Sequence, residues 1–202
     1  MDLVIGGGKF GLKAVEYLIE RRREFLILDP NPECEVVRVL NVPVLKVGAE
    51  KIIEVVEKTN PEWIFPTAPV HVVAEALKDL FEPWDEVIDD LLPKIPSKVV
   101  VSVGKGSVVL SYNRDGICIE NCNSPEICPV TKLKKDLPMF ELIKFAFPKA
   151  LILISYQIAP GLGAIKGSEF IEVIEKAKKL DKVVVATACN CHGVITGMKK
   201  KY

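Results

Sequence analysis

The sequence predicts an α/β protein built on a doubly wound, mostly parallel sheet. Short apolar runs alternate with segments of helical periodicity along the 202 residues, which is typical of this class. Three runs, 99–101, 151–154 and 183–185, are apolar throughout, as expected of strands that helices cover on both faces. The first eleven residues add a strand, a glycine-rich turn and the start of an amphipathic helix.

Eight strands are predicted, at 2–6, 25–29, 43–46, 62–66, 98–103, 107–112, 149–155 and 182–187. Six helices are predicted, at 9–22, 49–58, 69–81, 84–92, 139–146 and 167–179. Gly104-Lys105-Gly106 predicts a hairpin, and the proline-rich and glycine-containing stretch 113–138 predicts a loop insertion. Pro93 and Pro96 favour a dinucleotide-binding domain at 1–95 and a second α/β half at 96–202, unless the two pack as one continuous domain.

The glycine-rich turn has the context of a dinucleotide site. An apolar strand leads into Gly6-x-Gly8-x-x-Gly11, and the next strand ends in Asp29. Glycines allow a tight turn and close approach of a pyrophosphate, whose charge the helix N-terminus attracts. A carboxylate about twenty residues further on can hold ribose hydroxyls and would repel a 2′-phosphate, so NAD is favoured over NADP. The expected cofactor-binding residues are Gly6, Gly8, Lys9, Phe10, Gly11 and Asp29.

On these residues, the stretch Leu3–Glu33 resembles the NAD-binding domain of the TrkA-N type, found in regulators of potassium uptake. The resemblance implies a Rossmann-like fold and a regulatory role. It continues loosely to Gly48-Ala49, where that family usually has Gly-Asp. Ile5–Gly8 also looks like the dehydrogenases of sirohaem synthesis, but these typically lack an acid at the position of Asp29.

Five of the six cysteines lie in two short segments, Cys118-x3-Cys122-x5-Cys128 and Cys189-x-Cys191. Thiolates select zinc or iron–sulfur clusters, and the first three cysteines with one of the last two would complete four ligands. Such a centre would also help to order the loop 113–138. The spacing is that of neither a zinc knuckle nor a ferredoxin. The sequence therefore favours iron–sulfur and leaves zinc, disulfides and free thiols open, while Cys34 is interpreted as a small, partly buried residue.

Four side chains that could contact a ligand follow predicted strands: His71, Tyr156, Gln157 and His192. His192 and Cys191 lie past the carboxyl end of a predicted parallel strand, an edge where open α/β sheets bind ligands, and are the candidate catalytic residues. His192 could act as a proton donor or a metal ligand, but an ordinary loop residue is the commonest interpretation of a lone histidine. We expect His71 to flank a helix, and Tyr156-Gln157 to contact a ligand or lie in an ordinary loop.

The amino-acid composition limits the classes of partner that we expect for this chain. The chain carries 27 basic and 27 acidic residues, which argues against a nucleic-acid partner. The longest uncharged run, Ala150–Ile165, contains Pro160 and is too short to span a bilayer, so a soluble, cytoplasmic protein is expected. A single glutamine among many lysines and glutamates fits a thermophile. The expected partners are a dinucleotide and either a second copy of the chain or a transporter or regulatory protein.

Three functions are consistent with these features. The first is an NAD(H)-binding regulatory or redox-sensing protein with a cysteine-ligated metal or iron–sulfur site. The second is an NAD-dependent oxidoreductase that uses the cysteines and His192. The third is a structural protein with a vestigial nucleotide site.

Overall fold

The structure, a computed structural model, describes residues 1–201. The strands are β1 (Asp2–Ile5), β2 (Phe25–Leu28), β3 (Trp63–Pro66), β4 (Phe81–Pro83), β5 (Val100–Gly104), β6 (Ser107–Ser111), β7 (Leu151–Ile154), β8 (Tyr156–Ala159), β9 (Leu162–Lys166), β10 (Lys182–Ala188) and β11 (His192–Lys200). The α-helices are α1 (Lys9–Glu20), α2 (Glu35–Leu40), α3 (Ile52–Thr59), α4 (Val72–Leu77), α5 (Glu86–Leu91), α6 (Met139–Ala146) and α7 (Gly167–Lys178). Short 3-10 helices lie at Ala49–Lys51, Leu92–Lys94 and Ser97–Val99.

The strands form two mixed sheets. In the first sheet the order is β2-β1-β3-β9-β8, with β1, β2 and β3 parallel and β9 antiparallel to both of its neighbours. In the second sheet the order is β5-β6-β11-β10-β7, and β4 pairs with the far end of β11. In the second sheet only β7 and β10 pair in parallel.

The prediction of a doubly wound, mostly parallel sheet is therefore wrong. Three connections are only two or three residues long: Lys105-Gly106, Pro160-Gly161 and Cys189–Cys191. A parallel pair needs a crossover of about a dozen residues or more, so these connections impose antiparallel pairing. The predicted hairpin is present as β5 and β6, whereas the antiparallel strands β8, β9 and β11 were not predicted.

The first sheet gathers a set of loops at one edge. The carboxyl ends of β1, β2 and β3 share this edge, and β8 ends there too because it is antiparallel to β9. The segment 43–46, predicted as a strand, forms only an isolated bridge between Leu45 and Leu28. The glycine turn therefore shares its edge of the sheet with the β8–β9 turn.

The second sheet gathers the cysteines at one edge. The carboxyl ends of β6, β7 and β10 lie there, together with the start of β11. The chain between β6 and α6 crosses this edge as a long loop, which we call the cysteine loop (113–138). One buried apolar cluster joins residues of both sheets, a second packs α5 and α6 against the second sheet, and a third packs α1 and α2 against the first sheet. Within residues 1–201, no helix has both the length and the apolar character needed to cross a membrane.

Candidate functional site

Backbone hydrogen bonds order the second half of the cysteine loop. Its second half is a tight turn in which Cys128 N–H donates to Leu133 O (2.8 Å) and Lys135 N–H donates to Glu126 O (2.9 Å). Tyr112 anchors the loop, since its N–H donates to Cys191 O and its hydroxyl donates to Leu137 O (2.8 Å). These bonds bring Cys128 and Lys135 towards the β10–β11 turn.

Lys135 is the most unusual residue of the cluster. Only 9% of the residue is exposed, yet within residues 1–201 its Nζ forms no salt bridge with a carboxylate. The Nζ donates instead to Cys191 Sγ (3.0 Å) and Ser124 Oγ (3.4 Å). The Ser124 hydroxyl lies 2.8 Å from the same sulfur. Cys191 therefore has both a buried cation and a hydroxyl at its sulfur.

His192 lies between two other cysteines. Its Nε2 is 3.3 Å from Cys118 Sγ, and its Nδ1 is 3.8 Å from Cys189 Sγ. The exposed edge of the ring reaches solvent, but the protein around the rest of it reduces its hydration and lowers the pKa of His192 below the ordinary value. The imidazole is therefore neutral at pH 7 and can accept a proton from one neighbouring thiol.

Each of the five clustered sulfurs lies within reach of a hydrogen-bond donor. Cys189 Sγ accepts N–H bonds from Cys191 and His192, both 3.3 Å long. Asn113 Nδ2 donates to Cys118 Sγ (3.3 Å), and Ser124 N–H donates to Cys122 Sγ (3.4 Å).

Cys128 differs from the other four clustered cysteines because it is buried. Burial alone would raise the pKa of the Cys128 thiol. Hydrogen bonds from the Thr131 hydroxyl and from the N–H groups of Thr131 and Val130, helped by the charge of Lys135, lower it overall. Hydrogen-bond donors thus lie next to all five sulfurs.

The predicted ligand residues Cys118, Cys122, Cys128, Cys189 and Cys191 come to one edge of the sheet. Within residues 1–201, however, no three His, Cys, Asp or Glu side chains group closely enough to hold a metal ion. The His192 ring separates Cys118 from Cys189, with opposite nitrogens facing the two sulfurs. The metal or iron–sulfur site stays a prediction from the sequence.

The glycine turn has the local geometry that the sequence predicts. Gly6 adopts φ +99°, and a Cβ there would lie 2.8 Å from Ala68 N, so the turn packs against the loop after β3. A Cβ at Gly8 would meet nothing within 4 Å, and no side chain caps α1. Phe10 is 64% exposed and Lys9 is exposed as well. The first turn of α1 therefore faces open space with free N–H groups.

Asp29 holds this turn together. Its Oδ2 accepts the Gly7 N–H (2.6 Å) and its Oδ1 accepts the Asn31 N–H (2.8 Å). Each carboxylate oxygen keeps a lone pair that a hydroxyl could use. Cys34 is buried against the turn, where a Cβ on Gly7 would collide with its sulfur. Asp29 thus lies beside the glycines and has a structural role there, while its contact with a ribose stays a prediction from the sequence.

The other predicted residues have structural partners. His71 lies against the second sheet, where its ring contacts the hydroxyls of Thr196 and Thr187. The Tyr156 hydroxyl donates to Glu169 (2.9 Å), and Gln157 Nε2 donates to Cys122 O (2.9 Å). Cavities of about 390 and 300 Å³ lie beside β7 and beside the β5–β6 hairpin, and neither is lined by the cysteines or the glycine turn.

Sequence reasoning missed Lys135 and Ser124. Lys135 follows Lys132 and Lys134 in a polar loop, which is the usual pattern of exposed charges. Only the proximity of Cys191, 56 positions along the chain, distinguishes it. The one available signal was the number of cysteines expected at this edge, because clustered thiolates call for a nearby cation.

Comparison with known protein families gives one match for each of two parts of the chain. Residues 1–72 match a family model described as "Uncharacterized protein, N-terminal domain", and residues 69–201 match "Uncharacterized protein, C-terminal domain". An "Uncharacterized protein" of Archaeoglobus fulgidus is 50% identical over 214 residues, covering 99% of this chain and all of the relative. No solved structure matches.

The expected membership of the TrkA-N type is therefore wrong, since both parts of the chain match these other models. The resemblance depended on one glycine turn and one acid, and such a turn recurs in unrelated α/β proteins.

Proposed function

We propose a redox function for this chain, which belongs to the family that its two matched domain models describe as an uncharacterized protein. Cys191 is the reactive thiol and Cys122 is its partner. The observation that carries the proposal is the buried Lys135 ammonium, which lies 3.0 Å from Cys191 Sγ. Burial of a cation is costly unless an opposite charge compensates it, and the thiolate form of Cys191 would supply that charge. The thiolate is the nucleophilic form of cysteine.

The proposed reaction is thiol–disulfide exchange with a low-molecular-weight disulfide. The Cys191 thiolate attacks one sulfur of that disulfide, whose S–S bond breaks and releases one thiolate. Cys122 then loses its proton, attacks the Cys191 sulfur and releases the second thiolate. Two protein thiols are oxidised to one disulfide while the oxidant is reduced to two thiols. Ser124 supports this pairing because it contacts both protein sulfurs.

The first test removes the positive charge of Lys135. Lys135→Met should slow alkylation of Cys191 by iodoacetamide at pH 7 by about tenfold, which corresponds to about 1.4 kcal/mol of lost thiolate stabilisation. Lys134→Met is the matched control, because Lys134 is exposed and pairs with Glu126 (3.2 Å). Labelling is followed at each cysteine by mass spectrometry, with the buried Cys34 as internal reference.

Two results would overturn the proposal. One is an unchanged Cys191 labelling rate in Lys135→Met. The other is stoichiometric iron or zinc in protein purified without oxygen, with loss of the metal in Cys122→Ser. That result would support the predicted cysteine-ligated centre instead, and an absorption band near about 400 nm would identify iron–sulfur.

A second candidate function is NAD(H) binding at the glycine turn, which the uncapped first turn of α1 favours. The free N–H groups and the helix dipole attract a pyrophosphate, and Asp29 accepts ribose hydroxyls. Asp29→Asn keeps an oxygen for the Gly7 N–H but removes the charge that repels a 2′-phosphate. We expect the ratio of the NADP Kd to the NAD Kd to fall by about tenfold in this variant, roughly the effect of one removed charge.

Titration calorimetry measures this ratio, with Glu33→Gln as a control that removes an exposed carboxylate from the following turn. An unchanged ratio in Asp29→Asn would remove Asp29 from the site. Absence of binding by either dinucleotide would overturn the candidate.

A further inference from the structure

We infer that the cysteine loop transmits the oxidation state of Cys122 to the first turns of α1, through Asn121 and the backbone of Cys122. The inference rests on the proposed redox function and on the glycine turn as the dinucleotide site. It adds a regulatory link between them: oxidation of the cysteines changes the affinity for the dinucleotide.

The first contact of this link joins the loop to α1. Lys13 Nζ donates to Asn121 Oδ1 over 2.7 Å, although the two residues are 108 positions apart. Lys13 follows Lys9 by four residues and so lies on the same face of the helix, one turn further from the glycines. Asn121 therefore contacts the helix whose N-terminus would hold the pyrophosphate.

The second contact joins the loop to the β8–β9 turn. The Cys122 carbonyl accepts two hydrogen bonds, from Gly161 N–H (3.0 Å) and from Gln157 Nε2 (2.9 Å). Gly161 adopts φ +67°, and a Cβ there would lie 2.8 Å from Lys13 Nζ and 3.2 Å from Asn121 N. The loop, the turn and the helix thus meet at one point on the surface, where these hydrogen bonds join them.

Bond formation at Cys122 must disturb this point. A disulfide requires its two Cβ atoms to come within about 3.8 Å of each other, so the Cys122 backbone follows its sulfur. The residues around Cys122 are already constrained, because Asn121 (φ +59°) and Ser124 (φ +53°) both adopt left-handed backbone. Such conformations persist only while surrounding contacts hold them. A shift of Cys122 therefore releases Asn121 from Lys13.

The experiment compares the full-length protein reduced and after oxidation with diamide, which takes two electrons and two protons from two thiols as one disulfide forms. We expect the NAD Kd to change by about fivefold or more, the lower range of measured couplings between sites. We also expect faster hydrogen exchange in the oxidised protein at residues 12–16, the first residues of α1 whose N–H groups bond within the helix. Mass spectrometry identifies the disulfide at Cys122.

Variants separate the link from the sites that it joins. Asn121→Gly tolerates the left-handed backbone and removes the side chain, and Lys13→Met breaks the same hydrogen bond from the helix. Both variants should still bind NAD but lose the response to oxidation. Asn123→Gly is the control, because Asn123 is exposed and its side chain makes no hydrogen bond within residues 1–201, and it should keep the response.

The outcomes distinguish this inference from the proposed function. If NAD does not bind but exchange at residues 12–16 still responds to oxidation, the dinucleotide site is wrong and the link stands. If diamide forms no disulfide at Cys122, alkylation of Cys122 with N-ethylmaleimide displaces the loop instead by the bulk of the added group, and the redox proposal alone is wrong if α1 responds. An α1 that responds to neither treatment, or a response that persists in Asn121→Gly, overturns the link.

Discussion

Acidification from pH 7 to about pH 4 is expected to lower the free energy of unfolding by up to about 3 kcal/mol, because of His71. Burial lowers the pKa of His71 from 6.5 to about 4. Its ring contacts Thr196 Oγ1 (2.7 Å) and Thr187 Oγ1 (3.1 Å), with no acidic partner for a charged imidazole among its hydrogen bonds in residues 1–201.

The sign follows from proton binding in the two states. Between pH 6.5 and 4 the unfolded chain protonates His71 while the folded chain keeps it neutral, so each step down in pH favours unfolding. Above about pH 6.5 the contribution is complete, and below about pH 4 no more is lost. Burial also lowers the pKa of His192, which adds a slope of the same sign. Paired carboxylates such as Glu54 have a lowered pKa, because of hydrogen bonding to Lys58, and act only at lower pH.

Urea denaturation at pH values between 4.5 and 7.5 measures this effect. His71→Gln keeps a hydrogen-bonding side chain that does not titrate, so its stability should vary much less over the same interval. His192→Gln should remove only the smaller remaining slope. A His71→Gln variant with the same pH dependence as the parent would show that folding does not lower the pKa of His71.

The length of the connections between strands explains which parts of the fold could be predicted and which could not. The β1-turn-α1-β2 segment was predicted because apolar runs and glycines are local signals. The error was to extend parallel pairing to the whole chain. Pairing is set between strands distant in sequence, and continuously apolar runs such as 183–185 are also found where an antiparallel strand lies alongside. The two-residue connection Pro160-Gly161, read as a hairpin turn, would have corrected the prediction.

The same limit applies to the candidate site. The two cysteine segments were expected to meet because one set of four ligands would need both, and they do lie at one edge of the second sheet. The residues around them could not be predicted, since Lys135, Ser124 and Asn121 look like ordinary loop residues. What distinguishes them is burial or contact with residues more than 50 positions away, and no local pattern encodes that.

Arg23→Ala is expected to lower the free energy of unfolding by about 3 kcal/mol, towards the lower end of the cost of breaking a buried ion pair. Asp2 is completely buried in β1, where its carboxylate accepts bonds from Arg23 Nε and Nη2 (the latter 2.9 Å) and from Trp63 N–H (3.2 Å). Without the guanidinium, Asp2 remains buried with a single weak donor. Since Arg23 is 32% exposed, water can enter its place and reduce the loss.

A matched pair of variants tests whether burial sets this energy. Glu62 accepts a bond from the same Arg23 (2.6 Å), but its side chain is 62% exposed, so Glu62→Gln should cost less than about 1 kcal/mol. Replacing the buried partner as well, in Asp2→Leu with Arg23→Leu, should recover much of the loss because no unpaired charge remains. Equal losses for Arg23→Ala and Glu62→Gln would mean that the buried carboxylate is not the costly element. In that case β1 and β3 would be held in register by their ladder and apolar packing alone.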